Sequence, residues 1–550
     1  MKNPVPAILG TIRSGDPAIR LRTARRAAFA ATALLVVLFA WRSDDAFHAY
    51  AMAGHLVRGD GFVYNAGERV LATTCPFFTL LVAGAHFFTR EMFVTSTLVD
   101  VALSLAAVWV LFFVFCRKPW QVFAAFLLCA DRSFLTYSAS GLENCALYLL
   151  AACMAAAATD GRRDFRALLR LGFLAALAAG TRMDNVLLYL PFLAWAFLFR
   201  ENGVGRANGL LAGFIGFLPF VLWEAFCTFY YGFPFPNTAY AKLGTGIPAG
   251  AYFLRGCSYF LATALVDPAV VLLPLAAAFP LLSPRRDRGV RLLSAGVLLY
   301  LAYVARIGGD FMLGRHFTVP FFLSVCLLFA SGTGRTSAAA AADGSRRLRT
   351  FAWAAPAFFL AWTACVCAIG GRRFLLGEGF PVPGGIVDER VYYYRYTGFL
   401  PNLLHRKWRF ERTWSPAEVK RIRAAGRGRA FAKEANGIIV YCNPDLYLTD
   451  RYALGEAFLA HVPSAPVEGT GFRIGHVPRP IPAGYVESVE SGENRIVDPG
   501  LHAFYDKILL ATRAPLFDRR RLRAILELNV PPRLARRLGL DAAERTDVGP

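Results

Sequence analysis

The chain is 550 residues long, 56% hydrophobic and 14% aromatic, with a mean hydropathy of +0.42, which excludes an ordinary soluble enzyme and points to a polytopic membrane protein. Its formal net charge of +22 would suggest nucleic acid in a soluble chain, but the basic residues cluster between apolar segments and at the two ends, where a cytoplasmic membrane face wants them. Nucleic acid is set aside on that ground. The 11 cysteines are scattered singly, apart from Cys365 and Cys367 inside an apolar run, and the tail, with Cys442 alone, has no disulfide framework.

In chain order, a basic stretch over 1–24 precedes an apolar helix at 25–41 with no small-x-small cleavage site behind it, and reads as the cytoplasmic flank of an uncleaved anchor. A bilayer needs roughly 20 helical residues. Further runs that cross or nearly cross it fall at 93–116, 120–137, 142–159, 166–181, 185–200, 207–231, 258–282, 289–306, 316–332 and 350–370, giving eleven spans. The shorter run 76–88 reads as a helix lying in the interface, because counting it as a span would scramble the charge pattern of every later loop. With it excluded, alternate loops carry Arg117 and Lys118; Arg162, Arg163 and Arg166; Arg200 and Arg206; Arg285, Arg286, Arg288 and Arg291; then Arg335, Arg346, Arg347 and Arg349. These loops join the basic N-terminus on the cytoplasmic side, and the opposite loops face outward.

The outward loops hold the residues able to do chemistry. Asp44 and Asp45, where the first helix runs out of apolar residues, are followed by a turn-rich Gly61–Arg69 stretch; later loops bring Ser140 to Asn144 with Glu143, Arg182 with Asp184 and Asn185, Tyr231 to Lys242 with Asn237, and Arg306 to His316 with Asp310 and Arg315. Each has a bland reading: the twin acids solvate a helix end, Asp184 caps a helix, Asp310 pairs with Arg315, and Glu143 sits well at a helix start. Five such loops on one face are hard to explain by capping alone. Lys242 is one of two lysines between Asn3 and Arg406, and a compact cation beside Asn237 suits a phosphate. Glu224 and Asp100 lie inside apolar runs and are expected to face the bundle.

After about residue 370 the composition turns polar and Gly/Pro-rich, so three domains are expected: 1–24 cytoplasmic, 25–370 transmembrane and catalytic, and 371–550 an extracytoplasmic soluble domain of mixed α/β type, in which Ile438 to Tyr441 reads as a buried strand. His476, in Gly471 to His476, reads as structural or acceptor-facing.

Taken as a set, Asp44-Asp45-Ala46-Phe47, Gly61 to Arg69, Ser140 to Glu143, Arg182-Met183-Asp184, Tyr231-Gly232 with Pro236 to Lys242, and Gly308 to Met312 with Arg315 resemble the GT-C membrane glycosyltransferases. Within them the chain is most similar to the terminal arabinofuranosyltransferases of mycobacterial cell-wall assembly and their relatives named ZomB for flagellar motor control. The resemblance covers roughly 40–320, and weakly the tail through Leu448 to Asp450 and Arg473 to His476. The chain departs from it at Ala72 to Pro76 and in lacking a proline in the tail motif, which leaves the sugar and acceptor open.

The resemblance implies a multi-pass plasma-membrane enzyme that takes a sugar, arabinofuranose among the options, from a polyprenyl-phosphate carrier to a glycan or glycolipid of the cell envelope. No nucleotide cofactor is expected, and neither a P-loop nor a Rossmann fingerprint is present. An aspartate would act as general base in one in-line displacement, with inversion. Asp44 is the candidate base and Asp45 its orienting partner or a metal ligand, with the two roles exchangeable. Lys242, Arg182, Arg315 and His316 are candidates for the phosphate, and Asp45, Glu143, Asp184 and Asp310 would offer hard oxygen ligands to a divalent cation. The rival readings are a secondary transporter, a non-enzymatic membrane protein linked to the envelope or motor control, and a sugar-binding receptor.

Overall fold

The computed structural model describes residues 16–199, 204–242, 245–282, 286–330, 385–405 and 420–530, the last without 422, 425, 427, 433–436 and 465–471. The chain is mostly helical and divides into two compact units: Met1–Arg42, Thr97–Phe217 and Arg255–Arg406 in the first, Ser43–Ser96, Leu218–Leu254 and Lys407–Pro550 in the second. The segment 371–550 therefore contributes to both, since helices Glu389–Thr397 and Phe399–Leu404 belong to the first.

Three helices among the described residues are long and apolar enough to cross a bilayer: Met92–Phe115, Arg206–Tyr231 and Arg288–Arg306; a fourth path is the pair Ala249–Val266 and Pro268–Leu282, bent by 118°. Only 22% of the most apolar window of Arg206–Tyr231 is buried, and Leu211, Phe214 and Leu222 on it are exposed. Such a surface is stable in lipid and not in water, so this is a membrane protein. Several expected spans are interrupted. The run 120–137 breaks into Pro119–Cys129 and Arg132–Ser138 because Asp131 caps the second piece, accepting from the Phe134 N–H at 2.9 Å. The run 258–282 breaks at Asp267-Pro268, where proline opens a new helix, and 185–200 becomes a 3-10 turn, Met183–Leu188, followed by the short helix Leu190–Leu198. The expected span 350–370, Cys365 and Cys367 and the arginines at 335–349 lie outside the described residues.

The first unit packs on a core that includes Phe134, Tyr148, Phe317 and Phe322, with Phe134 and Phe322 stacked at 5.3 Å. Its helices meet through bare backbone, the usual device where lipid removes the hydrophobic drive between helices. A Cβ on Gly172 would lie 2.7 Å from the Gly213 carbonyl oxygen, and one on Gly296 only 1.9 Å from that of Leu188. Gly296→Leu is accordingly expected to cost about 1–3 kcal/mol or more, read as a lowered Tm of the detergent-solubilised protein; an unchanged Tm would mean the helix slides aside freely.

The second unit contains helices Ala46–Arg58, Pro76–Thr89, Asn237–Lys242, Pro499–Arg513 and Arg519–Asn529 and one two-stranded parallel sheet, β1 (Gly428–Ala432) and β2 (Leu446–Asp450), with Ala430 opposite Leu448. The expected strand at Ile438 to Tyr441 is instead the helix Gly437–Cys442 between the two strands. Parallel neighbours require a crossover, and this six-residue helix lies within it, so tertiary need overrides the β preference of Ile and Val. Val440 still reaches the core, beside Met52, Phe62 and Leu448. The Gly61–Arg69 stretch is fastened to this layer. Asn65 donates from Nδ2 to the Leu448 carbonyl (2.8 Å) and accepts from its N–H at Oδ1 (2.9 Å), while buried Glu68 accepts from Tyr447 and Thr512.

Candidate active site

Asp44 and Asp45 open helix Ala46–Arg58, their backbone carbonyls accepting from the Phe47 and His48 N–H groups at 3.0 and 3.2 Å. Asp45 sits at the N-cap position, yet its carboxylate makes no capping bond, so the helix-end reading does not account for it. One turn on, His48 projects from the same helix end. Its ring stacks on that of buried Tyr64 at 5.5 Å, and Gly437 lies so close that a Cβ there would meet the His48 backbone nitrogen at 2.6 Å. Two polar atoms at this spot, Asp44 Oδ1 and His48 Nδ1, are buried without a hydrogen-bond partner among the described residues.

The rest of the cluster comes from distant sequence. Lys242 ends helix Asn237–Lys242 and lays its stem on Gly475, where a Cβ would stand 3.0 Å from Lys242 Cε. Gly475, at φ +76°, turns the Arg473 to His476 segment, so both the turn and the lysine need a residue without a side chain. Arg473 acts electrostatically on Asp44, and Lys242 and Asp45 on both His48 and His476. Two acids, two cations and two imidazoles of one unit thus act on one another electrostatically.

The charge balance of this cluster sets its chemistry. Burial pushes the Asp44 carboxyl up to about 7, with Asp45 adding to the rise and Arg473 opposing it. Burial lowers the His48 and His476 imidazoles below their ordinary value. Asp450, on β2 of the same unit, is raised to about 6 by burial, offset by the backbone N–H groups of Tyr452 to Gly455. An acid poised near neutrality is suited to take a proton from a hydroxyl. The signs are testable: Asp45→Asn is expected to move the Asp44 titration down, and Arg473→Gln to move it up. Isotope-edited titration of the carboxyl would check both, and two shifts in the same direction would refute this charge balance.

A second cluster forms within the first unit, where helices Asn144–Thr159, Phe165–Thr181 and Arg315–Phe329 and the loop before the last bring their ends together. Glu143, 1% exposed, accepts from Arg182 Nη1 at 2.6 Å and from Arg315 Nη2 at 3.1 and 3.3 Å. Arg182 also donates from Nε to Asp184 at 3.0 Å. Asp310 stands 3.7 Å from Arg315 Nη1 and 3.6 Å from His316 Nε2, whose other ring nitrogen meets the Tyr300 hydroxyl at 3.1 Å. Asn144 fixes the Arg315 backbone and Thr318. These acids are committed to guanidinium groups, an arrangement that neutralises charge internally. No group of three His, Cys, Asp or Glu side chains spaced for a metal occurs among the described residues.

The structure thus gathers Asp44, Asp45 and Lys242 in the second unit and Glu143, Arg182, Asp184, Asp310, Arg315 and His316 in the first. Asn237 is spent on backbone, donating to the carbonyls of Ala453, Leu454 and Glu456 at 2.8, 3.2 and 2.8 Å. His48 was not foreseen, and Arg473 and Asp450, though they lie in the two tail motifs, were not assigned to the site. For His48 a signal existed, because it lies one helical turn from Asp44 and Asp45; for Arg473 and Asp450 only the fold reveals the neighbourhood.

Two curated proteins match the chain, each named terminal β-(1→2)-arabinofuranosyltransferase. That of Mycobacterium tuberculosis is 26% identical over 420 residues, 66% of this chain, and that of Corynebacterium glutamicum is 27% identical over 342 residues, 51% of this chain. The chain is a distant relative of these transferases. It spans 65% and 46% of their respective lengths. No family model and no solved structure matches it.

Proposed function

We propose that this protein is a polyprenyl-phosphate-dependent glycosyltransferase that transfers arabinofuranose, the sugar in both relatives' names, to a glycan or glycolipid of the cell envelope. The observation that carries the reading is Asp44: a carboxylate near neutrality, with one buried oxygen unpartnered, set among Asp45, Lys242 and Arg473 in a chain related to transferases. Asp44 takes the proton of the acceptor hydroxyl as its oxygen forms a bond to the anomeric carbon. The bond from that carbon to the carrier's phosphate breaks, the electron pair leaves with the phosphate, and the configuration inverts. Lys242 meets the departing charge, for which a compact cation is suited. Arg182 and Arg315 already face Glu143, Asp184 and Asp310, so their part is to hold the helix ends. No nucleotide enters this scheme, and a divalent cation remains an untested addition to it.

The topology that goes with it has eleven spans in the plasma membrane, with the twin acids and the polar tail on the extracytoplasmic side, where a carrier lipid presents its headgroup. The test incubates the purified protein with polyprenyl-phosphate sugars, arabinofuranose included, and follows transfer to an envelope glycan. Transfer of arabinofuranose with inversion is expected; no transfer from any donor, together with no carrier lipid bound, would overturn the proposal.

A further inference from the structure

Within the second unit, helix Arg519–Asn529 is docked on the end of a helix that crosses the bilayer. That span, Arg206–Tyr231, has 26 residues. At 1.5 Å per residue it is roughly 39 Å long against roughly 30 Å of hydrocarbon, so its ends emerge among the headgroups. Its last turn, with Phe229, Tyr230 and Tyr231, carries the aromatic rings that collect at that depth. Buried Arg521 is the fastening. It donates from Nη2 to the Phe229 and Tyr230 carbonyls at 2.5 and 3.0 Å, from Nε to Ala511 at 2.9 Å and from Nη1 to Leu516 at 2.9 Å, a cation set on two helix C-termini. Asn529 adds a bond from Nδ2 to the Gly232 carbonyl at 2.7 Å. The helix is thereby held at the height where the span leaves the hydrocarbon.

Its two sides differ. Ala524, Ile525 and Leu528 are buried together with Arg521, whereas Leu522 and Leu526, one turn apart on a shared stripe, are exposed. Phe517, just ahead of the helix, is 81% exposed although its ring meets that of Phe229 at 5.5 Å. Arg519 and Arg523 flank the stripe, and both are exposed. The two acids of the segment are already spent. Asp518 accepts from the Arg520 N–H at 2.7 Å and pairs with its guanidinium at 3.2 Å, and Glu527 is shared by Arg523 and Lys507 at 2.8 and 2.9 Å. Arg519 has no ion-pair partner among the described residues.

Exposed apolar side chains bordered by arginines at headgroup height match the chemistry of an anionic lipid surface. A second copy of the chain fits poorly, because a two-fold pairing of this face would set its arginines against themselves. We propose that this face is a docking surface for anionic phospholipid, with Phe517, Leu522 and Leu526 entering the acyl boundary and Arg519 and its neighbours holding the phosphates. The surface stands whether or not the protein transfers a sugar, so the two readings fail separately.

The test places the full-length protein in nanodiscs of equal parts phosphatidylglycerol and phosphatidylcholine, with Leu526 replaced by the photo-crosslinker p-benzoylphenylalanine. A second preparation carries the probe in place of Glu493, an exposed residue of the same unit, and adducts are identified by mass. Lipid adducts are expected at position 526 and not at 493, with phosphatidylglycerol favoured at least about fivefold, the factor one arginine supplies near a charged surface. Arg519→Gln is expected to lower that preference about fivefold with an unchanged Tm. Should the probe at 526 prevent folding, position 522 carries the test. Adducts with a second copy in place of lipid, no lipid adduct, or equal adducts at 493 would overturn the docking surface. Equal yields of the two lipids, or a preference untouched by Arg519→Gln, would overturn its assignment to anionic headgroups.

Discussion

Asp44→Asn is expected to lower sugar transfer by about 10²–10⁴-fold, the usual contribution of a positioned general base, while polyprenyl-phosphate binding persists. The substitution keeps shape and hydrogen-bonding capacity and removes only the ability to accept a proton as an anion. If Asp44 is the base proposed above, only its ionised form works, and activity should rise about tenfold per pH unit below the titration and level off above about 7. The stability linkage has the opposite sense. A carboxyl whose value is raised in the folded state favours the fold fully below its ordinary value near 3.8, and that contribution is lost as pH rises through about 7. Asn has no such penalty, so at pH 8 the variant should be as stable as the parent or more so while remaining inactive. Activity retained within a factor of about three, or lost only in step with Tm, would remove Asp44 from the chemistry.

Glu143→Ala should be the most damaging single change to the first unit, at about 3–5 kcal/mol, because it strips the shared partner from two guanidinium groups in a buried network. Glu143→Gln should also be harmful, since an amide keeps one accepting oxygen but supplies no negative charge to Arg182 and Arg315. The double variant Glu143→Met with Arg315→Met should be milder than Glu143→Ala alone, as removing both halves of a buried pair leaves less uncompensated charge. Thermal unfolding in detergent decides it. Equal Tm for parent and Glu143→Ala would show that the network contributes nothing to holding the helix ends together.

The apolar runs made the helical membrane character plain, because hydropathy summed over some twenty residues is a strong signal. The breaks inside them were not, since Asp131 and Asp267-Pro268 are single positions whose capping and N1 roles weigh little in such a sum. The acids of the candidate site stood out for a local reason, two adjacent carboxylates at the end of an apolar helix. Lys242 and the Arg473 to His476 motif stood out too, but not that they join these acids, because Arg473 and His476 lie more than four hundred residues away in sequence and act on Asp44 and Asp45 only through the fold of the second unit. Arg315 and Asp310 were legible as a pair from their spacing, and the structure keeps them near each other, but the larger claim on Arg315 is made by Glu143, on another helix. The Gly61–Arg69 stretch looked like chemistry and is masonry: Asn65 and Glu68 face backbone and tyrosine, not open space.

Asn65 has a wider effect. Its carboxamide imitates a peptide group on the side of β2 away from β1, meeting the Leu448 donor and acceptor that an incoming extended chain would need. The ribbon is thereby terminated by a side chain, and a second molecule finds no template there for intermolecular strand addition.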